Sequence, residues 1–223
     1  LTGFNNLPHG IGFYDGYLYV AEERRISRYP YLMDGNVGDR EVIVENLPTE
    51  PGRDDHVSRT IGFTSAGKMY VSVGSSCNVC VEQDLRRAAI LEFNSDGSNY
   101  RLFAEGLRNA VGFVFHPVTG EIWATENGRD YLGEDLPPDE INILQEGNHY
   151  GWPYCYGRQI SDPAFNQASL CATTRPSVHD IQAHSAPLGL RFIRSTQFPD
   201  EWQGDLLGAY HGSWNRSEPT GYK

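Results

Sequence analysis

Positive charge is scarce in this chain: 18 Lys and Arg stand against 29 Asp and Glu over 223 residues, a formal net charge of -11. That balance excludes the basic face that a nucleic acid or an anionic membrane surface requires. No apolar run approaches the roughly 18 residues of a transmembrane helix. Helical periodicity of useful length is missing too. There is no H-E-x-x-H, no G-x-S-x-G, no phosphate loop and no dinucleotide fingerprint, which removes nucleotide cofactors from consideration. His179, His184 and His211 lack zinc-ligand spacing. Neither an initiator Met nor a signal peptide is read in these residues. The chain opens at Leu1-Thr2-Gly3-Phe4 and closes at Gly221-Tyr222-Lys223, and the expectation is that both ends are truncated or processed.

Cysteine is sparse but patterned. Cys77-Asn78-Val79-Cys80 is a C-x-x-C, open to a redox motif, half a zinc site or a short disulfide loop. Cys155 and Cys171 do not repeat that spacing, so a four-cysteine zinc site lacks its second half. No His follows Cys80, which excludes covalent haem attachment. Two disulfides, 77–80 and 155–171, are expected, and they imply an oxidising compartment.

What is abundant is glycine and tyrosine, 24 and 13 residues, and the glycines mark a repeat. Gly10 to Glu22, Thr60 to Ser72 and Ala110 to Thr125 each read as strand, turn, strand, with Gly12, Gly62 and Gly112 at the same place. A looser copy runs through Pro187 to Phe192 and Gly204 to Tyr210. Further strand candidates lie between copies at Arg25 to Tyr31, Ala88 to Asn94 and Glu140 to Gln145. Four short strands per repeat is the pattern of a β-propeller blade, and blades must stack in a ring to bury their faces. The expectation is an all-β fold. Residues 1–223 form a single β-propeller domain with about four blades, part of a larger, incomplete ring.

The segments entering the second and third blades carry the candidate chemistry. Asp54-Asp55-His56 precedes the second blade, where a His near the channel mouth serves as a base beside a carboxylate. The alternatives are an exposed loop His and an Arg59 paired with Asp54 or Asp55. Gly106-Leu107-Arg108-Asn109 holds the equivalent place one blade later, and its Arg and Asn suit a polar, planar ligand as well as they suit a turn. Downstream, Glu126, Asp130, Glu134, Asp135, Asp139 and Glu140 fall in a Pro- and Gly-interrupted loop. Those carboxylates are hard oxygen ligands for a cation such as calcium, or a solvated acidic loop.

Several segments together resemble one family. They are Leu7-Pro-His-Gly10 with Leu18-Tyr-Val-Ala-Glu22, Lys68 to Cys80, and Gly106-Leu-Arg-Asn109. Glu126-Asn-Gly-Arg-Asp130, Pro138 to Asn142, Tyr150-Gly-Trp-Pro153 and His211 to Arg216 continue the series. The chain is similar to the soluble quinoprotein sugar dehydrogenases, in particular the L-sorbosone dehydrogenase-like branch. The resemblance implies a six-bladed propeller that carries pyrroloquinoline quinone over its channel, held partly by Ca2+. It implies oxidation of an aldose, a sorbosone-type sugar or an aldehyde, with hydride passing to the quinone and electrons to an external acceptor.

By position, His56 matches the general base, and Arg108 and Asn109 match the pair that hydrogen-bonds the quinone. Gly128 and Arg129 match the carbonyls that hold the cofactor's calcium, while Glu140 and Tyr150 match ligands of a second, structural calcium. Relatives that oxidise glucose often carry proline at position 129, so only the carbonyl of Arg129 serves here. The resemblance further implies that an N-terminal blade and the basic residues over the cofactor's carboxylates lie outside these residues, and that the compartment is periplasmic or secreted. Two other classes compete: a non-catalytic extracellular propeller that binds a partner, and a calcium-dependent lactonase-type hydrolase. The second needs metal ligands from separate blades, and here the carboxylates cluster in one loop.

Overall fold

The computed structural model describes residue 4 and residues 7–49 and 56–222. Helix among them amounts to one four-residue turn at Ala168–Cys171 and a 3-10 turn at Asp200–Trp202. No helix of the described residues is long and apolar enough to cross a membrane.

The first sheet is a four-stranded antiparallel meander of β1 (Pro8–Tyr14), β2 (Tyr17–Glu22), β3 (Ile26–Pro30) and β4 (Glu41–Val44). The second follows the same order with β5 (Ile61–Phe63), β6 (Lys68–Val73), β7 (Ala89–Asn94) and β8 (Arg101–Glu105). The third begins with β9 (Phe113–Phe115), β10 (Ile122–Glu126) and β11 (Asp139–Leu144). Its outer strand comes late: β12 (Asn148–His149) first adds a parallel fifth strand to β8, and β13 (Cys155–Tyr156) and β14 (Ile160–Ser161) form a small hairpin. Only then does β15 (His179–Ile181) pair with β11. The looser copy supplies a two-stranded sheet, β16 (Pro187–Phe192) with β17 (Leu206–Tyr210).

Strand alternation divides the core cleanly. Met69, Val71 and Val73 of β6 pack with Tyr19, Ala21 and Ile26 of the first sheet. Tyr70, between two of them, faces the other way with Ile90, Ile122 and Ala124. A sheet sandwiched on both sides must be apolar on both pleat faces, which is why β6 and β7 read as near-continuous β-type runs. Each fully buried side chain of this size contributes about 1.5–3 kcal/mol.

The repeated glycines have a steric explanation. β1 packs on β5, and β9 packs on β16, so the first strands of successive sheets lie side by side. A Cβ on Gly12 would come within 2.8 Å of the Phe63 ring, and one on Gly62 within 2.7 Å of the Phe113 ring. At Gly112 the obstacle is backbone: the Leu188 carbonyl oxygen would lie 1.7 Å away. Backbone cannot rotate aside as a ring can. Gly112→Ala is therefore expected to lower the unfolding free energy by about 3 kcal/mol or more. Gly189→Ala, where a Cβ meets nothing within 4 Å, is expected to stay within about 0.5 kcal/mol of the parent. Urea denaturation of the two variants checks this, and equal effects would contradict it.

Candidate active site

One polar cavity of about 340 Å³ opens between the entry segments of the sheets. His56, Arg108, Asn109 and Gly128 line it, joined by residues that the sequence did not single out for this site, among them Asp139, His184 and Asn215. Of the expected residues, Arg129, Glu140 and Tyr150 lie elsewhere, on a second cavity of about 20 Å³ that Gly128 and Glu126 also line. Gly128 joins the two. Asp54 and Asp55 lie outside the described residues. Arg59 is fully buried and donates to the carbonyls of His56, Ser58 and Pro48.

Ser75, at the exit of β6, sets the tautomer of His56. The His56 ring Nδ1 lies 3.1 Å from the Ser75 carbonyl and 3.0 Å from Ser75 Oγ. The carbonyl can only accept, and the Ser75 hydroxyl already donates to the Cys77 carbonyl at 2.7 Å. Nδ1 therefore donates, which in the neutral ring leaves the lone pair on Nε2. Gly74 makes the approach possible, since a Cβ there would sit 2.4 Å from His56 Cβ and 2.8 Å from Asn109 Oδ1.

Arg108 is buried, and its five N–H groups are all engaged. Nε donates to the Asn78 carbonyl at 2.9 Å, and Nη1 donates to the carbonyls of Asn127 and Gly128 at 3.1 and 3.0 Å. Nη2 donates to Asn78 Oδ1 at 3.0 Å and reaches Asp130 Oδ2 at 3.4 Å. The Asn109 side-chain amide makes no hydrogen bond among the described residues. Asn109 is instead held by its backbone, with its N–H 3.3 Å from both oxygens of Glu126 and its carbonyl accepting from Asn127.

The acidic loop separates by burial. Glu134 and Asp135 are exposed and tied to Ser217 and Arg216. Glu126, Asp139 and Glu140 are buried. Burial raises the Asp139 carboxyl from 3.8 to about 6 despite hydrogen bonds from the N–H groups of Gly128 and Ala186. Burial likewise raises Glu140 from 4.5 to about 7. Glu126 is pushed well above its usual range, first by burial and then by the charge of Glu140. Beside them, the buried Oδ1 of Asn142 has no hydrogen-bond partner among the described residues, while its Nδ2 donates to Glu140 at 2.9 Å. Buried oxygens that repel one another around a cavity large enough for one small guest are suited to a cation.

Both expected disulfides are present, Cys77–Cys80 and Cys155–Cys171. Asn78 and Gly74 went unnoticed as site residues because they act on distant stretches of chain, whereas Asp139 is expected from the sequence only as one of the loop's cation ligands. The one signal for Asn78 was its place inside the C-x-x-C.

A carboxyl with a native pKa above its unfolded one binds more protons when folded, so its contribution to stability falls as pH rises between the two values. For Glu140 that window runs from 4.5 to about 7. Glu140→Gln, whose amide imitates the protonated acid, is expected to gain on the metal-free parent as pH rises through that window, on the order of 1.4 kcal/mol for each pH step of one. Urea unfolding in chelator at several pH values checks this, and a difference independent of pH would contradict it.

Residues 2–223 match the TrAA12-like family. An uncharacterized protein of Borreliella burgdorferi is 43% identical over 171 residues, covering 75% of this chain and 45% of that protein. The pyrroloquinoline quinone-dependent sugar dehydrogenase of Hypocrea jecorina is 25% identical over 240 residues, covering 83% of this chain and 55% of that protein. The calcium structure of the Trichoderma reesei carbohydrate-active enzyme of family AA12 aligns with the whole chain and 65% of its own length, at a TM-score of 0.83 and 24% identity. This likeness shows the fold: the four sheets are blades of a β-propeller. The chain spans about half the length of the relatives it matches by sequence.

Proposed function

The chain belongs to the TrAA12-like family of soluble quinoprotein sugar dehydrogenases, and from that premise we propose that the full-length protein oxidises the aldehyde or lactol carbon of an aldose, with pyrroloquinoline quinone as hydride acceptor. Sorbosone-type sugars fall within this substrate class. The observation that carries the reading is the presence of His56, Arg108 and Asn109 on one cavity, with His56 Nδ1 held at Ser75. Residues 1–223 are one incomplete propeller domain in this reading, and the rest of the longer protein closes the ring.

The residues present fit the two implied groups. For the quinone, the cavity of about 340 Å³ combines polar side chains with the apolar Val111, Leu188 and Trp214, and the Asn109 amide is available to it as a donor. Asn215, also on the cavity, keeps a buried Oδ1 without a partner among the described residues. For calcium, the carbonyls of Gly128 and Arg129 would hold the ion beside the cofactor, and Glu140 and Tyr150 would hold the structural one. The repelling carboxylates of Glu126 and Glu140 support the second assignment. When bound, the quinone supplies hydride acceptance and the calcium beside it supplies Lewis acidity.

The remaining work belongs to the protein. His56 Nε2 takes the proton of the substrate hydroxyl as the carbon loses hydride. Asn109 donates to the acceptor oxygen, while Arg108, its N–H groups engaged by protein, contributes positive charge from beneath and fixes the loop that carries Gly128. At the mouth, Trp214 and Tyr131 are exposed and meet edge to face with ring centroids 6.0 Å apart. An aromatic surface of that kind suits the apolar face of a sugar ring. Electrons then leave to an external acceptor. The two disulfides support a periplasmic or secreted location.

His56→Ala in the full-length protein is expected to lower kcat by roughly a hundred- to ten-thousandfold, the usual worth of a general base, with quinone affinity within twofold of the parent. Steady-state kinetics and quinone titration check this. An unchanged kcat would remove His56 from the chemistry.

A further inference from the structure

The Cys77–Cys80 loop lies against the site, and the proposed reaction gives it no role. Its contacts run to both halves of the machinery. The Cys77 carbonyl accepts the Ser75 hydroxyl that in turn meets His56 Nδ1. Asn78 accepts Arg108 twice, through its carbonyl at 2.9 Å and its Oδ1 at 3.0 Å. The same Asn78 amide clasps the backbone of Asp130: Oδ1 accepts the Asp130 N–H at 2.8 Å, and Nδ2 donates to the Asp130 carbonyl at 3.1 Å. Asp130 then holds Asn215 through Oδ1 at 2.8 Å. One side chain thus joins the second blade to the loop that carries Gly128, and the Asp130 carboxylate extends that link to the segment that carries Asn215.

Asn78 needs a fixed backbone to do this, and two closures supply it. The disulfide joins residues three apart, and Glu82 accepts the N–H and hydroxyl of Ser76 at 2.6 and 2.8 Å. So short a covalent loop removes less chain entropy from the unfolded state than the sixteen-residue closure of Cys155–Cys171. The loop's effect is therefore local. Tyr131, next to the clasped Asp130, takes a left-handed conformation at φ 66°. A non-glycine residue keeps such a conformation only when its surroundings impose it.

We propose that Asn78, presented by the Cys77–Cys80 disulfide, is the positioning residue of this site. It holds Arg108 and the 127–131 segment in the arrangement that receives the quinone, an inference that rests on the cofactor reading above. Opening the disulfide weakens the site. A dithiol transfers two electrons and two protons to the cystine, leaving two cysteine thiols while it closes to its own cyclic disulfide. Cys77 and Cys80 are partly exposed, whereas Cys155 and Cys171 are buried, so the dithiol reaches the first pair first.

The test uses the full-length protein as parent, Asn78→Ala, and the Cys77→Ser/Cys80→Ser double variant. Quinone affinity in calcium is read by tryptophan fluorescence, and amide hydrogen exchange is read over residues 127–133. Both variants are expected to bind quinone at least tenfold more weakly and to exchange at least tenfold faster at Asp130. kcat falls in both, while the sugar KM stays within twofold. A purely structural lesion would lower the folded fraction and leave the quinone affinity of the folded molecules unchanged. If either variant fails to fold, brief dithiol treatment of the parent gives the same two readings. Quinone affinity within twofold of the parent in every case overturns the proposal. If the parent itself binds no quinone, the cofactor reading fails, and unchanged exchange at Asp130 would then overturn the positioning role independently.

Discussion

The guanidinium of a residue only 6% exposed must find an acceptor for each N–H or forfeit the desolvation of a charge. Arg108 finds all of its acceptors on two segments far apart in sequence, the Asn78 loop and the 127–130 turn. Its backbone carbonyl accepts from Ser75, which also holds His56. Much of the cavity wall therefore depends on one buried cation. A lysine, with a single compact charge and three donors, would not span the same set of carbonyls.

Around that cation the buried acids form a second layer. Asp139 holds the N–H of Gly128 and of Ala186, so it fixes the turn from below. Glu126 holds the N–H of Asn109. Burial raises the pKa of both and of Glu140, so their anionic forms call for more positive charge nearby than Arg108 alone supplies. A divalent cation answers that imbalance, and the proposed structural calcium follows from it.

Much of the architecture was legible in the sequence, for a physical reason. Gly12, Gly62 and Gly112 repeat because first strands of neighbouring blades approach too closely for a Cβ, and this leaves a mark at a fixed period. Strand placement followed from the same repeat, whose second copy, Thr60 to Ser72, carries Met69, Tyr70 and Val71 of β6. The second blade's fifth strand did not announce itself, because β12 is two residues long and is recruited from the chain between β11 and β15 of the third blade. The site was legible in part. Residue type and blade position drew His56, Arg108 and Asn109 to one cavity, whereas the expectation of a single acidic loop concealed a division. Burial, which depends on tertiary packing, separates Asp139 and Glu140 from Glu134 and Asp135. Asn78 and Gly74 act through contacts on distant stretches of chain, and no local pattern encodes these.

The central claim is that this cavity receives a quinone and passes hydride to it from a sugar. The most direct measurement is the absorbance spectrum of the full-length protein reconstituted with pyrroloquinoline quinone and calcium, followed as aldoses and sorbosone are added. The account predicts sugar-dependent bleaching of the oxidised quinone band that a chelator abolishes. A spectrum that no sugar changes, from a protein that has bound the quinone, would contradict it.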